Sequence, residues 1–310
     1  MAIAVFGSIN MDLVVRTPRL PVPGETLTGH TFFTVPGGKG ANQAVACARL
    51  GVPTRMVGRV GDDGFGEQLR ASLRGYGVND AGVLTTPGSS GVAVIAVDDS
   101  AENTIVIVPG ANGTVSVADV ARLEQALSDA HVLLLQLEVP LDAVISAARA
   151  ARDRGVVVIL DPAPAQALPE ELYTLADIIT PNESEATILT GLTVADDAGA
   201  AEAARVLLAR GARRAIIKLG ARGVWVADSA GERLAPAYAV TPVDTVAAGD
   251  AFNGGLAAAL SEGRSFDEAV RWGLATGALS VLKSGAQPSM PERAELMRFL
   301  GAIYSGAQQP

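Results

Sequence analysis

The chain has 310 residues, of which 49% are hydrophobic and 18% charged, so it can bury the core of one large α/β domain or two small ones. Its 24 basic and 33 acidic residues give a net charge of −9 without any basic run, which argues against nucleic acid and anionic membranes as partners. The two histidines, His30 and His131, lie far apart in the sequence, which argues against a zinc site and against a Ser-His-Asp triad.

The single cysteine and the first residues indicate the compartment. Cys47 lies in the apolar helical stretch AVACARLG, so we expect a buried thiol and no internal disulfide. The start, MAIAVFGSIN, lacks the basic region of a signal peptide, and no apolar run approaches the roughly 18 residues of a membrane span. We therefore expect a cytoplasmic protein with no membrane partner.

Short apolar runs alternate with helical patterns along most of the chain. We predict strands at residues 2–7, 54–61, 131–138, 156–161, 177–182, 214–220 and 223–228. We predict helices at residues 42–51, 65–77, 141–155, 183–191 and 198–211, in the second half of 244–260, and around 265–283 and 291–304. This alternation is typical of an α/β fold whose mostly parallel central sheet has helices on both faces.

Two segments, residues 13–36 and 89–108, break the alternation. Each reads as a pair of strands without an intervening helix, and the second alternates well around the turn DDSAEN. We therefore predict a small antiparallel sheet of about four strands, inserted into one domain that spans residues 1–310. Such a sheet has one face to bury, so it could cover a site as a lid or pair with a second copy of the chain.

Polar residues gather where the predicted strands end. Ligands of α/β folds bind at the carboxyl ends of the parallel strands, so we expect one site there. An Asn or Asp after a strand is more often a turn former than a ligand, and only the convergence of several favours a site. The residues that follow strands are Asn10, Asp12, Glu138, Asp161, Asn182, Glu185 and Gly220. The glycine-rich stretch PGGKGANQA, residues 36–44, precedes a helix and adds the donors Lys39 and Asn42.

The common nucleotide-binding fingerprints are absent from the sequence. It contains no GxxxxGK[ST] motif, and GRVGDDGFG, residues 58–66, does not fit GxGxxG. These absences argue against a Walker-type P-loop and against a Rossmann dehydrogenase. GDDGFG is either a tight turn between a strand and a helix or part of a site.

The stretch DTVAAGDAFNGGLAAAL, residues 244–260, has an unusual beginning. Asp250 stands at the start of its helix, directly after three residues with almost no side chain, Ala247, Ala248 and Gly249. Asp250 could simply cap the helix. The small side chains of the three residues before it would also leave room for a ligand at the helix N-terminus.

Two long stretches resemble the signatures of the ribokinase-like, or PfkB-type, carbohydrate kinases. PGGKGANQAVACARLGVPTRMVGRVG, residues 36–61, matches the spacing of the first signature, and DTVAAGDAFNGGLA, residues 244–257, matches the second. The similarity runs from GSINMD to GAQPSMP and is greatest to the ribokinases. It implies a ribokinase-like fold and phosphorylation of D-ribose at its 5-hydroxyl with ATP.

Other readings of this resemblance stay open. The substrate could be another small molecule of the family: deoxyribose, fructose, 2-keto-3-deoxygluconate or a nucleoside. A non-catalytic sugar-binding homologue is expected to have lost Asp250 or the AAG run before it, and both are intact here.

The resemblance also implies roles for individual residues. Asp250 would be the general base, and the backbone N–H groups of Ala247, Ala248 and Gly249 would form an anion hole for the transferring phosphoryl group. The sugar ligands would be Asn10, Asp12, Gly38, Lys39, Asn42, Glu138 and Asp250. The nucleotide and its Mg²⁺ would be held by Asn182, Glu185, Lys218, Gly220, Ala221, Gly223 and Gly249.

A monovalent cation, K⁺, and a partner subunit are implied in the same way. The residues that match the cation site of the family, several of them through backbone carbonyls, are Asp244, Val246, Ser280, Lys283, Gly285 and Ser289. Many ribokinases have a smaller hydroxyl residue where Lys218 stands, and Asp161 stands where some relatives have Asn and receives no role. The hydrophobic strands within 13–36 and 89–108 lead us to expect a homodimer formed through the lid.

Overall fold

The computed structural model describes residues 1–100 and 102–306. Ala101, which falls in the predicted lid segment 89–108, and residues 307–310 of the predicted domain 1–310 lie outside the described residues. The strands are β1 (Ala2–Phe6), β2 (Asn10–Arg16), β3 (Thr31–Gly37), β4 (Thr54–Gly61), β5 (Asn79–Thr86), β6 (Gly91–Val97), β7 (Asn103–Val108), β8 (Ala130–Leu135), β9 (Val157–Leu160), β10 (Ile178–Ile179), β11 (Arg214–Lys218), β12 (Val224–Asp228) and β13 (Gly231–Ala235). The helices are α1 (Lys39–Arg49), α2 (Gly64–Gly75), α3 (Val120–Ala126), α4 (Leu141–Arg152), α5 (Glu170–Leu175), α6 (Glu183–Thr190), α7 (Asp197–Ala209), α8 (Ala248–Ser261), α9 (Phe266–Ser280) and α10 (Arg293–Gly306).

The central sheet has nine strands in the order β13–β12–β11–β10–β9–β8–β1–β4–β5. The strands from β11 to β5 pair in parallel, and β12 and β13 add an antiparallel edge. The predicted mostly parallel α/β sheet is therefore confirmed.

The core lies on both faces of this sheet, as the uniformly apolar central strands require. Along β1, Ile3 and Val5 pack into one buried cluster with helices α1, α8 and α9. Ala4 and Phe6 point to the opposite face and pack into a second cluster with helices α3, α4 and α7. Helix α8, which begins beside Asp250, is thereby fixed by burial along most of its length.

The two inserted segments form a separate four-stranded sheet in the order β3–β2–β6–β7. Each segment is an antiparallel pair, as predicted, and the two pairs join through parallel pairing of β2 with β6. The first pair begins at Asn10 and ends at Gly37, slightly outside the predicted range 13–36. The lid therefore contains Asn10 and Asp12, which precede the predicted segment 13–36.

Several elements escape the sequence patterns. Strands β5 and β13 and helices α3 and α5 were not predicted, and the strand expected over 177–182 contains only Ile178 and Ile179. None of the helices in the described part of the chain has the length and apolar character that a bilayer-spanning segment needs.

Candidate active site

The N-terminus of helix α8 is built from a strained backbone turn. Ala247, the residue before the helix, has φ 58° and ψ 16°, and it is the one non-glycine residue with positive φ among the described residues. A left-handed conformation costs a residue with a Cβ roughly 1 kcal/mol or more, and such strain is commonest at functional sites. Of the three predicted anion-hole donors, Ala248 N–H already makes a long bond, 3.3 Å, to Thr245 O.

Asp250 is the third residue of α8, and its side chain is held from two sides. The residue is 4% exposed. Its Oδ2 accepts a hydrogen bond from Asn42 Nδ2 and its Oδ1 one from Gln43 Nε2, each at 3.0 Å. Burial raises the pKa of Asp250, while Lys39 and the two amide donors oppose that effect. The result is a fixed carboxylate with an increased tendency to accept a proton.

Lys39 places a positive charge beside this carboxylate. Burial, the largest single influence, lowers the pKa of Lys39, but four carboxylates together hold that pKa above its ordinary value. The four are Asp250, Asp161, Glu138 and Glu185. Lys39 therefore remains an ammonium group, which is what a site for transferred negative charge needs.

The predicted sugar ligands converge on the other side of Asp250. Asp12 lies within strand β2 and not in a turn, so its structural alternative as a turn residue does not hold. Burial, with Glu138 and Asp250 nearby, raises the pKa of Asp12 to about 7. Gly37 lies so close that a Cβ there would clash with the Asp12 carboxylate. The three carboxylates thus form one acidic cluster.

The remaining sugar-side residues are held by hydrogen bonds within the chain. Asn10 Oδ1 accepts from Asn112 Nδ2 at 2.6 Å. Glu138 Oε2 accepts from Ser8 Oγ at 2.5 Å and from Lys39 N at 3.1 Å. Gly38 precedes α1 with φ 89°, a conformation that favours glycine. These groups are ordered before any ligand arrives, which favours binding.

The predicted nucleotide residues surround a cavity of about 630 Å³. Its apolar walls include Tyr238, Phe252 and Val281. The predicted residues that line it are Lys39, Asn182, Glu185, Lys218, Gly220, Ala221, Gly223, Ala247, Ala248, Gly249 and Asp250. Asn10, Asp12, Gly38, Asn42 and Glu138 do not line it, so the two halves of the site meet at Asp250 and Lys39.

Asn182 and Glu185 form a reciprocal cap at the start of helix α6. Glu185 N donates to Asn182 Oδ1 and Asn182 N donates to Glu185 Oε2, each at 2.8 Å. Burial raises the pKa of Glu185, while Lys218 opposes that effect. The cap fixes both side chains at the edge of the cavity.

The predicted cation residues lie in the loop before helix α8 and in the segment that begins at the end of helix α9, and Asp244 joins these two parts of the chain. Asp244 Oδ1 accepts from Val246 N at 2.9 Å, and its Oδ2 accepts from Gly285 N at 2.8 Å. The hydroxyl groups of Ser280 and Ser289 donate to nearby carbonyl oxygens, Gly277 O and Ala286 O. The Lys283 ammonium is paired with Glu295 at 2.8 Å. Among the residues that the structure describes, no group of three or more His, Cys, Asp and Glu side chains could hold a metal ion.

Sequence reasoning missed the polar residues that support this site. Gln43 Oε1 accepts from Gln136 Nε2 at 2.7 Å, and Gln43 Nε2 donates to both Asp161 and Asp250. Asn112, which holds Asn10, is also fully buried. A glutamine inside an otherwise apolar helix or strand pattern could have indicated this network. Such a residue is expected to be buried, and a buried polar group needs a hydrogen-bond partner.

Two motifs turn out to be structural. Asp63 of GDDGFG caps α2 by accepting from Gly66 N at 2.8 Å, and it also accepts from Ser90 Oγ at 2.6 Å. Of the two open readings of that motif, the turn is confirmed. Cys47 is buried as predicted, and burial raises the pKa of its thiol, which makes it unreactive.

A cavity of about 630 Å³ that ends at a buried carboxylate on a helix N-terminus can place a phosphate group beside a base, as a phosphotransferase requires. The chain matches the model of the pfkB family carbohydrate kinases over residues 2–293. It is 46% identical over 299 residues to a ribokinase of Haemophilus influenzae, covering 96% of this chain and 98% of the relative. It is 37% identical over 302 residues to a deoxyribokinase of Salmonella typhi, covering 97% and 99%.

A solved structure supports the same family and the same fold. Arabidopsis thaliana ribokinase complexed with ribose and ATP superposes with a TM-score of 0.88 at 35% identity, covering 97% of this chain and 99% of that one. The chain therefore belongs to the pfkB family of carbohydrate kinases. The predicted family and the predicted fold are both confirmed.

Proposed function

We propose that this enzyme transfers the γ-phosphoryl group of ATP to the 5-hydroxyl of D-ribose, giving ribose 5-phosphate and ADP. The observation that carries the proposal is the position of Asp250, which is buried where the sugar-side cluster meets the cavity. The similarity to ribokinases, one of them complexed with ribose and ATP, supports both substrates.

Asp250 acts as the general base. The sugar oxygen forms a bond to the γ-phosphorus, the bond from that phosphorus to the leaving ADP oxygen breaks, and the hydroxyl proton moves to Asp250. In a loose phosphoryl-transfer transition state the attacking oxygen keeps its proton until late, so orientation matters more than base strength. Asn42 and Gln43 supply that orientation by holding one carboxylate oxygen each.

Negative charge on the transferring group is stabilised from two directions. The N-terminus of α8 presents backbone N–H groups and the positive end of the helix dipole. The partly buried Lys39 ammonium adds a full positive charge at the same boundary. Both are in place before the reaction, so little reorganisation is needed.

The sugar side is built from hydrogen-bond acceptors and donors that are already fixed. Asn10, Asp12 and Glu138 would bind the sugar hydroxyls. A site built to bind a hydroxyl discriminates strongly against an analogue that lacks it, because its own polar groups are then left unpaired. Deoxyribose is the leading alternative substrate, and the similarity to a deoxyribokinase is the observation that favours it.

Mg²⁺ would enter with ATP and be held by Asn182 and Glu185, through water. The donor set fits this ion, because Mg²⁺ usually keeps several waters and is bound by one or two carboxylates together with substrate phosphates. When bound, it would neutralise charge on the phosphates.

K⁺ would lie beside the anion hole, at Asp244 and the carbonyl groups of the two parts of the chain that Asp244 joins. Carboxylate and carbonyl oxygens suit a hard monovalent cation. Asp244 already fixes these two parts by accepting from Val246 N and Gly285 N. The predicted set also contains Ser280, Lys283 and Ser289, which would contribute backbone carbonyls because their side chains have other partners.

We also infer a cytoplasmic homodimer formed through the lid. Every residue of the edge strand β7 is exposed, including Ile105 and Ile107. Phe32 and Phe33 of strand β3 are exposed as well, on the opposite edge of the lid. An apolar surface of this kind favours a symmetric contact with a second lid. The cytoplasmic location follows from the use of ATP.

An assay of ADP release across a sugar panel tests the substrate. The panel contains D-ribose, 2-deoxy-D-ribose, D-fructose, 2-keto-3-deoxygluconate and two nucleosides, with Asp250→Asn as the control for contaminating kinases. We expect the highest kcat/KM with D-ribose, and phosphorus NMR should identify the product as the 5-phosphate. A higher kcat/KM with another acceptor would replace ribose, and no ADP release with any of them would contradict the kinase assignment.

A further inference from the structure

Asp161 has no role in the mechanism above, yet it is buried between the two halves of the site. It directly follows strand β9 and is 1% exposed. Its Oδ1 accepts from Lys218 Nζ at 2.8 Å, and its Oδ2 accepts from Gln43 Nε2 at 2.9 Å. The same Gln43 nitrogen donates to Asp250 Oδ1 at 3.0 Å. One amide group therefore bridges Asp161 and the proposed base.

The orientation of that amide is determined by its other end. Gln43 Oε1 accepts from Gln136 Nε2 at 2.7 Å, which leaves the Gln43 nitrogen facing the two carboxylates. The reversed orientation would direct an oxygen at two carboxylates and a nitrogen at another donor. Since Gln43 and Gln136 are both fully buried, water cannot repair such a mismatch. Of the two orientations of the Gln43 amide, only this one directs a donor at both carboxylates.

Lys218 is the second partner of Asp161, and it lies beside the anion hole. Its side chain is 13% exposed and lines the cavity. A Cβ added to Gly249 would lie 3.3 Å from Lys218 Nζ, so the ammonium group is adjacent to that backbone. Among the ion pairs of the described residues, Asp161 is the partner of Lys218.

We infer that Asp161 is a positioning residue that holds the Lys218 ammonium beside the path of the phosphoryl group and directs the Gln43 amide toward Asp250. This role rests on the proposed function, because it assigns the phosphoryl group and the base to those places. Asp161 acts on the reaction through Lys218 and Gln43. Lys218 then contributes positive charge from the nucleotide side, in addition to the charge of Lys39.

The network predicts how particular substitutions combine. In Asp161→Asn, the new amide offers one acceptor and one donor, but both groups that face it, Lys218 Nζ and Gln43 Nε2, are donors. The nitrogen of the new amide then faces another donor, so one of the two hydrogen bonds is lost. Adding Lys218→Gln removes this conflict, because the second amide can accept from the first while Gln43 keeps its acceptor. The loss from the two substitutions together should therefore be smaller than the product of the two single losses.

Steady-state kinetics on the intact enzyme test the role, with four proteins compared: wild type, Asp161→Asn, Lys218→Gln and the double variant. We expect Asp161→Asn to lower kcat by about 10- to 100-fold while the KM for the sugar stays within about twofold, the pattern of lost alignment without lost sugar binding. We expect the loss of kcat in the double variant to be smaller than the product of the two single losses, a non-additive result that marks direct coupling.

Asp177→Asn is the matched control. Asp177 is a buried carboxylate at the amino end of the neighbouring strand β10, where it accepts from Arg152 at 3.1 Å and from Val158 N at 2.9 Å. Its substitution should lower thermal stability and leave kcat per folded molecule unchanged. Folded fraction is measured for every variant by sugar-binding stoichiometry, which separates lost positioning from lost protein.

A kcat of Asp161→Asn within about threefold of wild type overturns the inference, as does a double variant whose loss is the product of the two single losses. Should Asp161→Asn not fold, Gln43→Met removes the bridge with Asp161 in place, and an unchanged kcat there overturns the inference equally. The variants are compared with whichever sugar the wild type phosphorylates fastest. A wild type that rejects ribose but uses another sugar therefore refutes the proposed substrate while the network is still tested.

Discussion

Asn42 and Asp250 stand 208 residues apart in the chain, yet Asn42 Nδ2 donates to Asp250 Oδ2 at 3.0 Å. Each residue lies in the first turns of its helix, α1 and α8, and the two helices pack together in the same buried cluster. The two sequence signatures are thereby joined by one hydrogen bond at the proposed base. The fold brings the sugar-side helix and the phosphate-side helix to a single carboxylate.

Gly249→Ala should lower activity without lowering thermal stability. Its new Cβ would meet only the flexible end of Lys218, so we expect a melting temperature equal to or slightly above that of the wild type. The methyl group would lie at the anion hole and displace Lys218, so kcat/KM should fall by about 10-fold or more. Gly64→Ala, at the open start of helix α2, is the matched control and should keep full activity. Full activity of Gly249→Ala would remove Gly249 from the anion hole.

Asp12→Asn should raise thermal stability and weaken sugar binding. Burial and two neighbouring carboxylates raise the pKa of Asp12 from its ordinary value of 3.8 to about 7. Folding therefore favours the protonated form, and the ionised form reduces stability, increasingly as pH rises from about 4 to about 7. The variant should melt at a higher temperature than the wild type at pH 8, by a margin that shrinks at pH 5.

The same variant should bind sugar poorly, because one acceptor for the sugar hydroxyls is lost. Kinetics should show the loss in kcat/KM for ribose, while the KM for ATP stays close to that of the wild type. A variant that melts at a lower temperature at pH 8 and keeps its ribose KM would contradict the assignment of Asp12 to the sugar site.

Much of this architecture could be predicted from the sequence because its signals are local. Strand β1 is a run of buried apolar residues that ends before Gly7 and Ser8, and helix α9 begins with a capping box formed by Ser265 and Glu268. The two signatures likewise carry their own spacing, and they identify Asp250 and the small residues before it. Strand β13 and helix α5 were missed because each has only five or six residues and, unlike β1, neither is a continuous apolar run.

The rest depends on contacts that no local pattern encodes. Asn112 holds Asn10 across 102 residues, and Gln43 meets Asp161 across 118. Strand β2 begins at Asn10 with polar residues, which resemble a loop in the sequence. They form a strand because β3 and β6 pair with them on both sides. Pairing with distant strands therefore sets the boundary of the lid, and hydrogen bonds between distant residues form the network that supports Asp250.

Activation by K⁺ over Na⁺ is expected at matched ionic strength. A cation at Asp244 would stiffen the loop that leads into α8 without touching substrate, so its effect should appear in kcat and not in the KM for ribose. Thermal melting of the enzyme without substrates provides an independent reading, because a bound ion stabilises the folded state. Asp244→Asn should abolish both effects. Equal kcat and equal melting temperature in the two salts, with contaminating K⁺ controlled, would exclude the site.

The proposed dimer can be tested on the outer part of the lid. Ile107 is opposite Ala93, which is opposite Asp12, so a change there could disturb the sugar site directly. Ile105 lies outside the row that contains Ile107, Ala93 and Asp12, and it is 52% exposed. Ile105→Asp therefore adds a charge to the lid surface without changing that row. We expect light scattering to show a dimer for the wild type and a monomer for Ile105→Asp at micromolar concentration.

Ile188→Asp is the control for this test, because Ile188 is 61% exposed on helix α6, away from the lid. It should remain dimeric. A monomeric wild type would refute the dimer. A dimeric Ile105→Asp would contradict an interface that includes strand β7.

Single-turnover phosphoryl transfer by Asp250→Asn tests the central claim most directly, since it isolates the chemical step from binding and product release. With ribose and ATP at saturating concentrations, removing the proton acceptor should lower the rate by roughly two to four orders of magnitude, the range of general-base catalysis. The dissociation constant of ATP, measured by calorimetry on the same protein, should stay close to that of the wild type. A variant that keeps a tenth or more of the wild-type rate would contradict Asp250 as the base.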